Sequence, residues 1–284
     1  MKVLVGILLL CVVLSSAAVL PEPNTSVYDY HRKFGAPAAE RIRQFERNTT
    51  PAENRIVGGG TTSTLSVPHQ VGLIITFRII QTSVCGATLI SDSRVLTAAH
   101  CYNDGNSIAS SFVVVLGSNL LFNGGTRITT SNFVMYPGYN PLIAANDIGI
   151  IPITPVSFSV QIQPIILPSG SELNLNYVGY TALASGYGTT RDGFNYVSFQ
   201  QKNLISNSDC GASYLGLQNS HLCTSGAGGV GICQGDSGGP LITTVNNRRI
   251  LIGIGSFVSS NGCQAGNPSG FTRVTSFTNW IHSI

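Results

Sequence analysis

The chain has 284 residues, of which 43% are hydrophobic and only 10% charged, with a formal net charge of +3. That is enough apolar material for a buried core in one or two domains, which excludes a disordered chain. The sparse charge offers no basic stripe for nucleic acid and no polybasic patch for a membrane surface.

Residues 1–18, MKVLVGILLLCVVLSSAA, combine one positive charge, a short apolar run and small residues at the end. They read as a secretory signal peptide, because a membrane anchor needs roughly 20 apolar residues. From 19 to 55 the composition shifts to a mixture of acids, arginines and prolines with no cysteine, and the chain then turns abruptly to IVGGG. This segment reads as soluble and detachable. It holds both N-x-[ST] sequons, Asn24-Thr25-Ser26 and Asn48-Thr49-Thr50, which suit exposed extracellular backbone.

From Ile56 onward the pattern is short β runs punctuated by turn residues: VGLIITFRII, FVVVLG, DIGIIPI, TALASGYG and RRILIGIGSFV. Branched and aromatic residues dominate them, so an all-β barrel or sandwich is expected. The one helix expected is the tail, VTSFTNWIHSI, where Val274, Phe277, Trp280 and Ile281 share a face.

Loss of the signal removes Cys11 and leaves an even set, Cys85, Cys101, Cys210, Cys223, Cys233 and Cys263. In an oxidising compartment these predict three disulfides, although six cysteines permit 15 pairings and nothing in their spacing chooses among them. No C-x-x-C or H-x-x-x-H spacing supports zinc, and no metal or cofactor is expected.

The stretch GICQGDSGGP, residues 231–240, sets Ser237 between glycines. A serine hydroxyl is a poor nucleophile until a neutral imidazole takes its proton, with a buried carboxylate holding the imidazole's tautomer. Of five histidines, His31 lies in the detachable segment, His69 and His221 read as residues of polar loops, and His282 is near the terminus. His100 stands in VLTAAHCY, after an apolar run and directly before Cys101. No Asp or Glu occurs between Gly105 and Asn146; then Asp147 appears in NDIGII. Alone it could be catalytic or simply cap its strand.

GDSGGP, TAAHC and NDI, in the order His, Asp, Ser, together with RIVGG at 55–59, resemble the trypsin/chymotrypsin family of serine proteases over residues 56–284. The resemblance implies two six-stranded antiparallel β-barrels with a C-terminal α-helix, the first over about 56–165 and the second over about 166–284. By the same resemblance His100 is the general base, Asp147 its orienting carboxylate and Ser237 the nucleophile, with the N–H groups of Gly235 and Ser237 as oxyanion hole. The implied disulfides are Cys85 with Cys101, Cys210 with Cys223, and Cys233 with Cys263. Residues 19–55 become an activation propeptide cut after Arg55, whose removal frees the Ile56 amine to pair with Asp236. Without a cysteine, that propeptide should depart once cut.

Specificity rests on Gly231 and Ile232, on Ser256 and Val258 of GIGSFVSS, and on Ser269. Trypsin-like members carry an aspartate where Gly231 stands, so Arg and Lys are expected to be poor substrates and a separate trypsin-like protease must activate the precursor. Val258 narrows the mouth while Gly231 deepens the base. A chymotrypsin-like preference for Phe, Tyr, Leu or Met is ranked above an elastase-like one for small aliphatic residues. Tyr187 stands where Trp is frequent, and Gly149 where Ala is usual. The SFVSSNGCQAG segment looks most like arthropod digestive chymotrypsins and their collagenolytic relatives. The implied protein is a secreted digestive monomer whose partners are protein substrates, its activator and potential protein inhibitors. A catalytically silent homologue acting as a binding protein is the contrasting expectation.

Overall fold

The computed structural model describes residues 25–48, 64–77, 81–188 and 198–284. The signal peptide, Asn24, Thr49 and Thr50 of the sequons, and the expected activation pair Arg55 and Ile56 lie outside the described residues.

Seven strands form the first sheet: β1 Gln70–Thr76, β2 Thr82–Leu89, β3 Arg94–Thr97, β4 Ser111–Leu116, β5 Thr126–Thr130, β6 Val134–Met135 and β7 Gly149–Pro152. They are antiparallel, in the order β5-β4-β1-β2-β3-β7-β6. The count differs from the expected six because Ser131–Phe133 breaks one strand in two. Its first piece pairs with β4 and its second with β7, so the bent strand joins both edges of the sheet. Alternation directs Val71, Leu73 and Ile75 of β1 and Phe112, Val114 and Leu116 of β4 into one apolar core.

A closed six-stranded barrel follows, in the order β10-β13-β12-β11-β8-β9. Its strands are β8 Thr181–Gly186, β9 Ser198–Ile205, β10 His221–Thr224, β11 Pro240–Val245, β12 Arg248–Phe257 and β13 Ser269–Arg273. Leu222, Leu241, Ile250, Ile252 and Phe271 fill it. The tail forms a 3-10 turn and then a short helix, Thr278–Ser283. Val274, Phe277 and Ile281 join the first core, and Trp280 packs edge-on against Tyr136 with ring centroids 5.2 Å apart. The three disulfides are Cys85–Cys101, Cys210–Cys223 and Cys233–Cys263.

Three expectations need correction. The stretch 25–48 is not an exposed leader: after one π-type turn, His31–Gly35, it forms helix α1, Ala36–Asn48, docked on the body. Ala38, Ala39 and Ile42 recur on one face of α1 and are buried against Val67, Val84, Leu121 and Tyr187. His69, in the turn before β1, and His221 are not solvated loop residues either. Both are buried; His221 opens β10 and its Nε2 lies 2.9 Å from the Ala144 carbonyl oxygen, while burial holds the His69 imidazole down at about 3.

Candidate active site

His100 sits in a single 3-10 turn, Ala99–Cys101, at the end of β3, with the Cys85–Cys101 bridge tying that turn to β2. Asp147 lies just before β7, which pairs with β3. The neighbouring strands thereby bring together two residues 47 positions apart. Asp147 Oδ2 lies 2.7 Å from His100 Nδ1, and its Oδ1 accepts the His100 backbone N–H at 2.9 Å.

Both side chains are fully buried. Burial, the largest single influence, pushes the Asp147 carboxyl up, but the His100 charge, the next largest, and three hydrogen bonds, from the His100 ring, the Ser256 hydroxyl and the His100 backbone, outweigh it and leave the pKa below the ordinary carboxylate value. The Ser256 hydroxyl donates to Asp147 Oδ2 at 2.6 Å, and Thr272 Oγ1 donates to the Asp147 carbonyl at 2.8 Å. Ser256 was expected only in the pocket wall. Its hydroxyl is turned to the carboxylate, a role that no local pattern in GIGSFVSS reveals.

One aromatic ring braces both elements. Phe133, at the bend between β5 and β6, stacks on Tyr102 with centroids 4.6 Å apart and planes 10° apart. On its other side it fills the space above Gly149, where a Cβ would fall 2.2 Å from the ring. The small residue noted at 149 is thus matched to a large one at 133. Tyr187 likewise is wholly buried, donating its hydroxyl to the Ser118 carbonyl at 2.7 Å.

Ser237 occupies the loop before β11, with its carbonyl accepting the Gly86 N–H at 2.7 Å. The flanking glycines are required by space and by conformation. Gly235 has φ +100° and Gly238 φ +82°, and a Cβ on Gly238 would fall 2.2 Å from Thr97 Oγ1. Asp236 faces inward: Oδ1 accepts the Gly188 N–H at 2.7 Å and Oδ2 the Cys233 N–H at 2.9 Å.

Beside Ser237 lies a cavity of about 330 Å³, walled by Ile232, Ser256, Val258 and the Cys233–Cys263 bridge. Gly231 and Ser269 stand behind it rather than lining it. A Cβ at Gly231 would meet Ser269 Oγ at 2.9 Å, and that oxygen accepts the Ile232 N–H at 3.2 Å. The space vacated at 231 is therefore taken by Ser269, and does not deepen the base as expected. The cavity's rim includes Val27, Tyr28 and Tyr30 of the docked segment.

Tyr30 reaches the centre of the site. Its ring meets the His100 imidazole edge-on, with centroids 4.6 Å apart, and its hydroxyl donates to the Val84 carbonyl at 3.0 Å. Burial pushes the phenol pKa up strongly, against the hydrogen-bonding influence of the Ser237 side chain and the Gly235 backbone. His100 Nε2 is buried without a hydrogen-bond partner among the described residues. Cys85, His100 and Cys101 also cluster, but the two sulfurs are consumed in their bridge and offer no thiolate for a metal.

Paired antiparallel β units with a histidine, a buried aspartate and a glycine-flanked serine on their loops define a serine-peptidase site. The Trypsin family model matches residues 56–281. Collagenase from Hypoderma lineatum is 37% identical over 231 residues, covering 81% of this chain and 86% of that protein. Brachyurin from Leptuca pugilator is 36% identical over 236 residues, covering 80% and 97%. A solved structure of HL collagenase superposes with a TM-score of 0.74 at 36% identity, covering 80% of this chain and 97% of that one. The chain belongs to the trypsin family of serine proteases and is a serine endopeptidase acting on protein substrates. Among the described residues, no helix is long and apolar enough to cross a membrane.

Proposed function

We propose that Ser237, His100 and Asp147 form the catalytic triad of a secreted digestive endopeptidase that is made as a zymogen. The observation that carries this is the bridge from His100 Nδ1 to a buried Asp147 oxygen, in the same cleft as the glycine-flanked Ser237. With its proton held at Nδ1, the imidazole presents Nε2 as the base. It takes the Ser237 proton as Oγ attacks the substrate carbonyl, then returns it to the leaving amine; water repeats the cycle on the acyl-enzyme. The N–H groups of Gly235 and Ser237 would receive the oxyanion, a contribution whose loss costs roughly 10²- to 10³-fold in rate.

Cleavage after Arg55 would free the Ile56 amine to pair with Asp236, a carboxylate that already holds the Gly188 and Cys233 loops together. Neither Ile232 on the cavity wall nor Gly231 behind it carries a charge, which supports a neutral P1 residue. On the protease side the cavity is lined by the apolar Ile232, Phe257 and Val258, which favours Phe, Tyr, Leu or Met. An elastase-like preference is the second reading, supported by the half-buried Val258 on the wall. Secretion rests on the signal-like N-terminus, and a monomer is the expected state.

The test is to treat the precursor with trypsin, inactivate the trypsin, sequence the new N-terminus and profile hydrolysis across P1 residues, with native collagen as an additional substrate. An IVGGG terminus and turnover of Phe or Leu substrates well above Arg substrates are expected. Preference for Arg or Lys would overturn the pocket assignment, and undiminished turnover by Ser237→Ala would overturn the triad.

A further inference from the structure

The segment that precedes the protease body occupies the cleft in a manner that tethering alone does not require. Tyr30, His31, Ala38, Ala39, Ile42 and Glu46 are each no more than 6% exposed. Side chains buried to that degree form an interface in their own right, with aromatic anchors at its centre and hydrogen bonds around them.

The path is defined at every stage. The Val27 N–H donates to the Pro141 carbonyl at 2.9 Å, and the Asp29 N–H to the Asp104 carbonyl at 3.0 Å. The His31 N–H donates to Asp104 Oδ2 at 2.8 Å, and its Nδ1 lies 2.9 Å from Ser83 Oγ. Past the catalytic centre, Arg41 donates to Gln234 Oε1 at 2.6 Å. The helix then ends in a built anion site: Glu46 Oε1 accepts the Leu121 N–H at 2.6 Å, and its Oε2 accepts the Phe122 N–H at 3.0 Å and Asn123 Nδ2 at 2.8 Å.

The segment does not offer itself as a substrate. A scissile peptide would lie extended along the Ser256–Val258 wall, but among the described residues no backbone hydrogen bond joins the segment to that wall. Asp29 has φ +61°, and the chain enters helical turns at Tyr30. What the segment sets against His100, in the cavity that Ser237 also lines, is the phenol of Tyr30, a side chain with no acyl carbon for the nucleophile to attack.

We propose that residues 25–48 are an active-site-directed inhibitor of this chain's own protease, and that the segment also binds the processed enzyme in trans and competes with substrate. This rests on the serine endopeptidase reading above. All the contacts described are noncovalent and residues 19–55 contain no cysteine, so a cut between the segment and the body removes the tether and leaves the interface in place. Full activity then requires dissociation as well as cleavage, and latency has two layers.

The experiment adds a synthetic peptide of residues 25–48 to the processed full-length product, freed of its own segment by gel filtration. Hydrolysis of a chromogenic peptide is read alongside calorimetric titration of the peptide into the same protein. Competitive inhibition is expected, with KM raised, kcat unchanged and the peptide recovered intact by mass spectrometry. Tyr30→Ala should weaken inhibition about 30-fold or more, as loss of a central aromatic anchor does. Glu46→Ala should weaken it about 10-fold, and Arg47→Ala, on the exposed face, should leave it unchanged. Absence of binding at about 1 mM peptide, noncompetitive inhibition, cleavage of the peptide at Tyr30, or an unaltered Tyr30→Ala peptide would each overturn the proposal. A processed protein that hydrolyses nothing would instead sink the endopeptidase reading, and the calorimetric titration would still decide the binding.

Discussion

Ser256→Ala isolates how much of the buried carboxylate's stability comes from one hydroxyl. The Ser256 bond to Asp147 Oδ2 is 2.6 Å long and lies where water does not replace it. A hydrogen bond to a charged group of this kind is worth roughly 1.5–3 kcal/mol. At 1.36 kcal/mol per pKa unit, its loss raises the folded-state pKa of Asp147 by about 1–2 units. The sign is fixed by the lowered pKa: the stabilisation is complete above the ordinary carboxylate value and disappears as pH falls through the folded-state value. In the variant it is smaller and vanishes at higher pH. For a body of this size, about 2 kcal/mol corresponds to a Tm lowered by about 4–8 °C near pH 7, with the deficit shrinking towards pH 3. Because the carboxylate stays ionised at neutral pH and keeps both contacts with His100, kcat should fall by no more than about 10-fold. Calorimetric melting against pH, paired with peptide hydrolysis, measures both. Equal Tm values at pH 7, or a deficit that does not change with pH, would refute the reasoning.

Asp147→Asn removes the charge that orients the imidazole and should lower kcat by about 10⁴-fold, the value established for the Ser-His-Asp template, in a protein that still melts cooperatively. Gly238→Ala places a Cβ 2.2 Å from Thr97 Oγ1 at a left-handed φ and should cost at least about 3 kcal/mol, read as a drop in the denaturation midpoint. Burial, with the nearby His100 charge next, depresses the His31 pKa to about 3. The docked segment therefore binds fewer protons than the free one, and its affinity is greatest above the free value of about 6.5 and falls below it. Binding should be about 10-fold weaker at pH 5.5 than at 7.5, and a His31→Gln peptide should lose that component; identical pH profiles for the two peptides would contradict it.

What was readable in the chain follows the distance over which each feature is encoded. GDSGGP and TAAHC are contiguous, and each specifies a loop in which a glycine or a disulfide positions one side chain. The long strands β1, β4, β8 and β12 carried their own alternation or branched runs. Short or polar strands such as Thr126–Thr130 and Val134–Met135 did not, because their conformation is imposed by partners. Helix α1 had a legible face in Ala38, Ala39 and Ile42, masked by the charges interleaved with it. The positions of Tyr30 and Glu46 had no local signature at all: their hydrogen-bond partners are 54 to 77 residues away, and a tyrosine or glutamate in a charged segment looks like ordinary solvated surface. Ser256 was expected only as pocket wall, a narrower role than its bond to Asp147 gives it, since which way a hydroxyl turns depends on the carboxylate brought beside it by the fold.

The ring of Phe133 sets how positions far apart in the chain can vary together. It stacks on Tyr102, two residues after His100, and fills the volume above Gly149, two residues after Asp147. A methyl group added at 149 would push that ring towards the histidine turn, while a smaller residue at 133 would leave a hole behind the aspartate. Either change alone is penalised, whereas the two made together restore the volume. Positions 133 and 149 are thus an epistatic pair, and a graft of the commoner alanine into this sequence should be tolerated only with a trimmed partner at the bend.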